Sequence, residues 1–363
     1  MRTIAPVILA LLLAAPGCQK TAAPKKQDAP SASPMTPAAM RPARDRPAPR
    51  RARTTPRPEP PMPSPPVAIP SALDLPLAKD VKPLTLKKAK KLPYLKGSVA
   101  QVVAHARKHC TTQWYGVYLQ SRKLGWGEMT CGVKTLDGQE VLYEKIELYA
   151  RIKSFGGTEI MRMRGETRFA ATGKGELLYL RLDAESGKER QTVTVTKKDD
   201  GWHSRRTYRS PTTRKKPVVK VLKQVRTTLA NGERAYAVAL AAGTLAAGAK
   251  HRYLSFDDDE LKDQDNALQV LATGTRRLRG VPVRIHKIET LSLHDKVRGV
   301  GLHDARGDLL EGTFQGIMRI KREEKATAKK MDKQAVDFGL GLVIQAKLPD
   351  VSDPAKVNLM RIR

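Results

Sequence analysis

Two of the three cysteines in the chain, Cys110 and Cys131, have a spacing that favours a disulfide bond. The segments Gln113–Gln120 and Lys123–Val133 are rich in strand-forming residues and flank Ser121, which predicts a hairpin turn. A turn there sets Cys110 almost opposite Cys131 on neighbouring strands, and the thiols of an exported chain meet oxidising conditions. A disulfide that closes a loop of about 20 residues contributes roughly 3 kcal/mol in the chain-entropy estimate. We therefore expect these two cysteines to be bonded to each other.

A catalytic thiol is the alternative interpretation of the same pair. His105 and His109 lie close to Cys110 in the sequence, and a nucleophilic cysteine needs a low pKa and a histidine base. Neighbours on one backbone do not by themselves form a nucleophile and its base. Titration of free thiols in the exported protein separates the two interpretations, because a complete disulfide excludes the enzyme.

The seven histidines do not form a recognisable metal-binding motif. His105 and His109 have the i, i+4 spacing of metal ligands on a helix, but the stretch HARKH lacks the glutamate of the metalloprotease motif. Its basic residues also oppose a divalent cation. His286, His294 and His303 fall on or near predicted strands, and nothing in the sequence fixes whether they converge. We expect neither a metal ion nor another cofactor.

The acidic segment Phe256–Asp265 has the composition of a calcium loop but not its pattern. An EF-hand loop needs a central glycine and a glutamate at its twelfth position, and neither fits here. The carboxylates are expected to pair with nearby lysines and arginines instead. The sequence also contains no phosphate-binding glycine loop, no nucleophile elbow and no zinc spacing.

The segments that must position these residues have mostly the pattern of β-strands. Apolar and polar residues alternate in Glu140–Ser154 and Thr192–Thr196, and short links with Gly-Gly or Asp-Gly suit hairpin turns. Helical patterns interrupt the strands at Ser98–His109, Val218–Ala230, Ala235–Gly248 and Glu323–Ala335. The prediction is a mainly β (α+β) fold, with one large curved antiparallel sheet and two or three helices in residues 98–363. Sub-halves are expected at 98–210 and 235–363.

The N-terminus has the pattern of an exported lipoprotein. Arg2 precedes the apolar run Ile4–Ala15, which is shorter than the roughly 20 residues of a membrane-spanning helix and fits a signal peptide. Ala15 and Gly17 precede Cys18, in a pattern that resembles the bacterial lipobox, whose cysteine is acylated and becomes the new N-terminus. We expect residues 1–17 to be a signal peptide and Cys18 to be lipidated. The alternative is an ordinary signal peptide followed by an unmodified cysteine.

Residues 18–80 are expected to form a disordered tether that follows the lipidated cysteine. The segment is rich in Pro, Ala and Arg and has few large apolar residues, so it cannot offset its ordering entropy by burial. Its arginines could contact a polyanion such as an anionic cell-wall polymer, although a self-repelling solvated linker is the alternative. The candidate contact residues are Arg41, Arg44, Arg46, Arg50, Arg51 and Arg53.

The net charge of +31 predicts attraction to polyanions and to anionic lipid surfaces. Only 5% of the residues are aromatic and no aromatic-rich basic motif is present, so nucleic acid is not the expected partner. Gln19 follows Cys18, whereas an aspartate there resembles an inner-membrane retention signal. The expected location is the cell envelope, held by the lipid anchor, at the outer rather than the inner membrane.

The region from Ala235 to Ala326 is similar to the β region that precedes the catalytic core of bacterial transglutaminase-like proteins. The similarity lies in AVALAAGTLAAGAKHRYLSFDDDEL, LRGVPVRIHKIET and VRGVGLHDARGDLLEGTFQGIMRIKREEKA, and Trp114–Trp126 resembles the opening hairpin of that region. The resemblance spans about residues 113 to 363. A looser likeness is to the curved sheets of lipoprotein carriers.

The resemblance implies a binding or accessory β module, because the papain-like core would follow the point at which the chain ends. No catalytic residue is carried over, so we expect no enzymatic activity. The expected function is a tethered, non-enzymatic envelope lipoprotein that binds a lipid, an envelope polymer or a protein partner, such as a transglutaminase-like enzyme supplied in trans. A thiol-dependent transglutaminase- or protease-like enzyme and a structural adhesin that grips anionic cell-wall polymer are the alternatives.

Overall fold

The computed structural model describes residues 75–78, 81–119, 121–154, 157–211, 216–258, 260–278, 281–314, 318–332 and 336–337. Several predicted features lie outside these residues. They are the signal peptide, Cys18 and the tether arginines at positions 41–53.

The described residues form mostly β-strands. The strands are β1 Gln113–Leu119, β2 Arg122–Leu136, β3 Gln139–Ser154, β4 Gly157–Ala170, β5 Leu177–Ser186, β6 Glu189–Lys198, β7 Gly201–Arg209, β8 Val218–Leu222, β9 Lys250–Asp257, β10 Lys262–Leu278, β11 Val281–Ser292, β12 Arg298–Asp304, β13 Leu309–Phe314, β14 Met318–Glu323 and β15 Val336–Asp337. The helices are α1 Leu86–Ala89, α2 Val99–His109, α3 Glu233–Ala241 and α4 Lys325–Lys329.

All of these strands belong to one sheet, which confirms the predicted antiparallel fold. Its order is β8-β7-β6-β5-β4-β3-β2-β1-β14-β13-β12-β11-β10-β9, and every neighbouring pair on this path is antiparallel. The sheet therefore consists of two meanders, β1–β8 and β9–β14, that join where β1 pairs with β14. The short β15 pairs in parallel with the end of β3.

The predicted helix at Val218–Ala230 is wrong. Val218–Leu222 forms β8, and the residues that follow are not helical. Valines at positions 218, 219 and 221 disfavour a helix because branching at Cβ restricts the side chain, and they suit a strand. Pairing with β7 therefore determines the structure of this segment.

The two faces of the sheet differ as the alternation predicts. On β4, Met161 and Met163 are buried and Arg162 and Arg164 are exposed. The face that carries Met161, termed here the inner face, packs its apolar residues from both meanders into one core, which includes Tyr115, Leu180, Val193 and Ile320. The face that carries Arg162 is termed the outer face.

Strand β10 is buried on both sides. Leu268 packs against Tyr236 and Leu240 of α3, in a cluster with Leu95 and Ile288. On the other side, Ala267 and Leu291 pack against Leu84 and Ala89 of the segment that contains α1. Among the described residues, no helix is long and apolar enough to cross a membrane.

The disulfide between Cys110 and Cys131 is present, with the two Cα atoms 5.2 Å apart. The hairpin of β1 and β2 turns near Ser121 as predicted. The placement of Cys110 on a strand is wrong, because this residue caps the C-terminus of α2. The disulfide therefore joins α2 to β2, and the buried side chains of Val102, Val103 and Ala106 complete that contact.

Reduction of this disulfide is expected to lower the free energy of unfolding by roughly 3 kcal/mol, because it frees a loop with a sequence separation of 21 residues in the unfolded chain. The measurement is denaturant unfolding with and without reductant. The double variant Cys110→Ser/Cys131→Ser is the control and should not respond to reductant. A wild-type midpoint that ignores reductant would contradict the prediction.

Candidate ligand-binding groove

A groove of about 430 Å³ crosses the outer face of strands β2 to β5. Ten residues line it: Glu128, Thr130, Lys145, Ile146, Glu147, Arg164, Gly165, Glu166, Arg181 and Asp183. A second depression of about 240 Å³ shares three of these residues and extends the groove to β6. The residues that it adds are Arg162, Glu185, Arg190 and Thr192.

Strand register brings these side chains together. Glu147 of β3 is the cross-strand partner of Arg164 on β4, which in turn is the partner of Asp183 on β5. Asp183 is the partner of Thr192 on β6. Because directly paired residues point to the same side of a sheet, one row of polar side chains runs across four strands.

Ion pairs hold the guanidinium groups of the groove in place. An Arg164 nitrogen lies 3.0 Å from Glu147 Oε1, and Arg181 Nε lies 2.7 Å from Asp183 Oδ2. Arg190 pairs with Glu185. All three arginine side chains remain more than half exposed, so a ligand can reach their remaining donors.

Asp183 stays ionised in this setting. Its partial burial raises the pKa, but hydrogen bonds from Arg181 and Thr192 outweigh that effect and bring the pKa below its usual value. The Thr192 hydroxyl donates to Asp183 Oδ1 over 2.7 Å. The groove therefore presents fixed acceptors as well as fixed donors.

The charges of the groove balance. The basic residues are Lys145, Arg162, Arg164, Arg181 and Arg190. The acidic residues are Glu128, Glu147, Glu166, Asp183 and Glu185. The excess positive charge of the chain thus lies elsewhere, and the groove suits a ligand that carries both donors and acceptors.

Aromatic residues flank the groove on the same face. At one end, Trp126 and Tyr149 stack with their ring centroids 6.0 Å apart, and Tyr149 is the cross-strand partner of Arg162. At the other end, the Arg168 guanidinium lies 4.5 Å from the centre of the Tyr179 ring. Aromatic faces at both ends add sites for stacking to the hydrogen-bonding centre.

A small cavity lies on the inner face. It is lined by residues that include Phe169, Leu177, Leu180 and Leu229, and its volume is about 50 Å³. Pockets that enclose a ligand of drug size are roughly 300–1,000 Å³. This cavity therefore does not hold an acyl chain.

The histidines and the acidic segment take structural positions. His105 and His109 lie 4.8 Å apart between ring centroids, and His286 and His303 are cross-strand partners on β11 and β12. His294 lies in the turn after β11, and its Nε2 is 3.1 Å from Glu260 Oε1. Within the described ranges, no three His, Cys, Asp or Glu residues are grouped to hold a metal ion.

His303 makes stability dependent on pH. Burial lowers its pKa to about 4, against a smaller opposing effect of its hydrogen bond with the carbonyl of Gly307. Because the unfolded chain binds this proton more tightly, the free energy of unfolding is expected to fall by roughly 3 kcal/mol as the pH is lowered from about 6.5 to about 4. The variant His303→Asn keeps a donor for Gly307 and should lack this part of the slope. Parallel stability curves for the two proteins would refute this assignment.

Sequence reasoning missed the groove, although part of its signal was present. The alternation in β4 places Arg162, Arg164 and Glu166 on one face, and the sequence shows this much. Which strand lies beside β4, and in which register, follows only from the structure. The predicted sites at Cys18 and in the tether lie outside the described residues, so the structure does not bring them together with the groove.

Fold and groove together describe an antiparallel β-sheet protein with a mixed-charge outer face. No protein-family model and no curated protein matches the sequence. One similar solved structure is a β-barrel-like protein of a domain of unknown function, DUF1849, from Brucella abortus, with 11% identity over 64% of this chain and 98% of that chain and a TM-score of 0.40. Another is a DUF1089 family protein from Pseudomonas aeruginosa, with 12% identity over 52% of this chain and 90% of that chain and a TM-score of 0.27.

Proposed function

We propose that this protein is a non-enzymatic envelope lipoprotein whose sheet binds a polar envelope polymer in the outer-face groove. Acylated Cys18 would anchor it, preferentially at the outer membrane, and residues 18–80 would hold the sheet away from the lipid. The observation that carries the proposal is the continuous groove, in which half-exposed guanidinium groups alternate with carboxylates.

The dimensions of the groove favour an extended ligand. It crosses five strands, β2 to β6, and adjacent strands lie about 4.8 Å apart, so its floor is roughly 20 Å long. Donors and acceptors along that length, with aromatic rings beside it, suit a polymer that bears hydroxyl, amide and charged groups, such as a peptide-substituted glycan. The polar lining of the groove speaks against a lipid as its ligand.

The alternatives have less support. The disulfide holds both sulfur atoms of Cys110 and Cys131, which speaks against a thiol enzyme. A structural adhesin would depend on the arginines at positions 41–53 and not on the groove. Deletion of Arg41–Pro60 distinguishes the two, because polymer binding through the groove should survive it.

The charge swap Arg181→Asp/Asp183→Arg tests the groove. It keeps one positive and one negative charge at these two positions, sets like charges opposite Arg164 and Glu166, and reverses the pattern that a ligand meets. We expect binding of the full chain to insoluble cell-wall peptidoglycan to weaken about tenfold or more, a change of at least about 1.4 kcal/mol. Sedimentation of the protein with the polymer measures this change.

The matched control swaps an exposed ion pair that lies away from the groove, Lys262 with Glu260, and like the groove variant it leaves the net charge unchanged. The variant Lys262→Glu/Glu260→Lys should bind as the wild type does. Equal loss in both variants would mean that binding does not depend on the groove, which overturns the proposal. Unchanged binding of the groove variant, with its thermal stability intact, would overturn it as well.

A further inference from the structure

The two edge strands of the sheet differ in how their backbones are used. The edge at β9 is covered: the Arg252 N–H donates to the carbonyl of Pro93 over 2.8 Å, and the Leu95 N–H donates to the carbonyl of Arg252 over 2.7 Å. The Leu254 N–H donates to the carbonyl of Asn231. At the other edge, β8 pairs with β7 on one side, and within the described residues no strand pairs with its other side.

Strand β8 also exposes apolar side chains. Val218, Val219 and Val221 are 45%, 65% and 53% exposed. Val219 and Val221 are the cross-strand partners of Arg205 and His203, so they extend the outer face to its border. An uncovered edge with apolar side chains is a template for pairing with another strand.

The charge around β8 restricts what can pair with it. Residues 201–226 contain nine lysines and arginines and no aspartate or glutamate. Among the basic residues, Lys216, Lys220 and Lys223 are exposed on or beside β8. A second copy of β8 would bring the same charges into contact and be repelled, whereas an acidic strand would be attracted.

We propose that β8 is the docking site for an extended acidic segment of a partner protein, which adds to the sheet as a further strand. Main-chain hydrogen bonds to β8 would supply affinity, and the lysines would select the partner and prevent self-association. Valines of β8 would pack against alternate side chains of the added strand. This inference concerns the edge and does not depend on what the groove binds.

A short labelled peptide of alternating glutamate and valine is the probe, and its fluorescence anisotropy with the full chain measures binding. The comparison peptide has the same sequence with consecutive central peptide bonds N-methylated, which removes main-chain donors from both of its edges. We expect saturable binding of the first peptide and at least about tenfold weaker binding of the second. Equal binding of both peptides, or binding of neither, overturns the proposal.

The variant Lys216→Glu/Lys220→Glu/Lys223→Glu should weaken binding of the unmodified peptide to a similar extent. The control Lys87→Glu/Lys88→Glu/Lys91→Glu changes the same number of exposed lysines near α1 and should leave binding unchanged. A β8 variant that binds the peptide normally but no longer binds phosphatidylglycerol vesicles would assign this edge to a membrane surface and overturn the proposal. The groove variant Arg181→Asp/Asp183→Arg should retain peptide binding, which separates the two sites.

Discussion

The variant Lys123→Met is expected to lower the free energy of unfolding by about 3–5 kcal/mol, because it leaves a buried carboxylate without its counterion. Lys123 and Glu323 are 7% and 8% exposed, and Lys123 Nζ lies 2.7 Å from Glu323 Oε2. The same ammonium group donates to the carbonyl of Thr327 over 2.6 Å. The Tyr118 hydroxyl donates to the other oxygen of Glu323, so each oxygen of the carboxylate has a partner.

A double-mutant cycle tests the interpretation. The variant Lys123→Met/Glu323→Gln removes both charges and keeps an acceptor for Tyr118, so it should recover most of the lost stability. Lys145→Met is the comparison variant for an exposed ion pair, since Lys145 is half-exposed and its Nζ lies 3.6 Å from Glu166 Oε2. Its cost should be at most about 1 kcal/mol. Equal denaturant midpoints for Lys123→Met and Lys145→Met would show that burial of the pair has no effect.

The buried pair has a consequence for the outer face. Lys123 binds the carbonyl of Thr327 in α4, and Ala328 of the same helix is fully buried. Lys329 then lies 5.1 Å from the centre of the Trp126 ring, at the border of the groove. Loss of the pair is therefore expected to loosen α4 and to change the aromatic end of the groove.

The sequence predicted the parts of the fold that depend on local pattern. The hairpin at Ser121, the pairing of Cys110 with Cys131 and the alternation in β3 and β6 all follow from residues that are near each other in the chain. Segment Val218–Ala230 was predicted as a helix, and its true structure depends on the neighbouring strand β7. Local pattern does not contain that contact.

The groove could not be predicted because its residues come from five strands. Glu128 and Arg190 are 62 positions apart in the sequence and line one surface only through the register of the strands between them. The similarity to the β region of transglutaminase-like proteins and the lipidation of Cys18 remain predictions. Labelling of the exported protein with palmitate tests the lipidation of Cys18.

Gly307 is a position at which a single methyl group should have a large effect on packing. It lies in the turn between β12 and β13 with a φ of 80°, a conformation that costs residues with a side chain about 1–2 kcal/mol. A Cβ atom there would lie 2.6 Å from the Cα of Ala237 and 2.8 Å from its carbonyl oxygen. These atoms belong to the backbone of α3, so a side-chain rotation cannot relieve the clash.

The variant Gly307→Ala is therefore expected to lose about 3–5 kcal/mol, the sum of the backbone cost and of overpacking against α3. Gly138 is the matched control, because its φ is 78° and a Cβ there would meet nothing within 4 Å. The variant Gly138→Ala should lose only the backbone cost of about 1–2 kcal/mol. Denaturant unfolding of the two variants measures the difference, which isolates the contact between the turn and α3. A difference near zero would mean that the turn can move away from α3, and the hydrogen bond between His303 and the Gly307 carbonyl should then be lost with it.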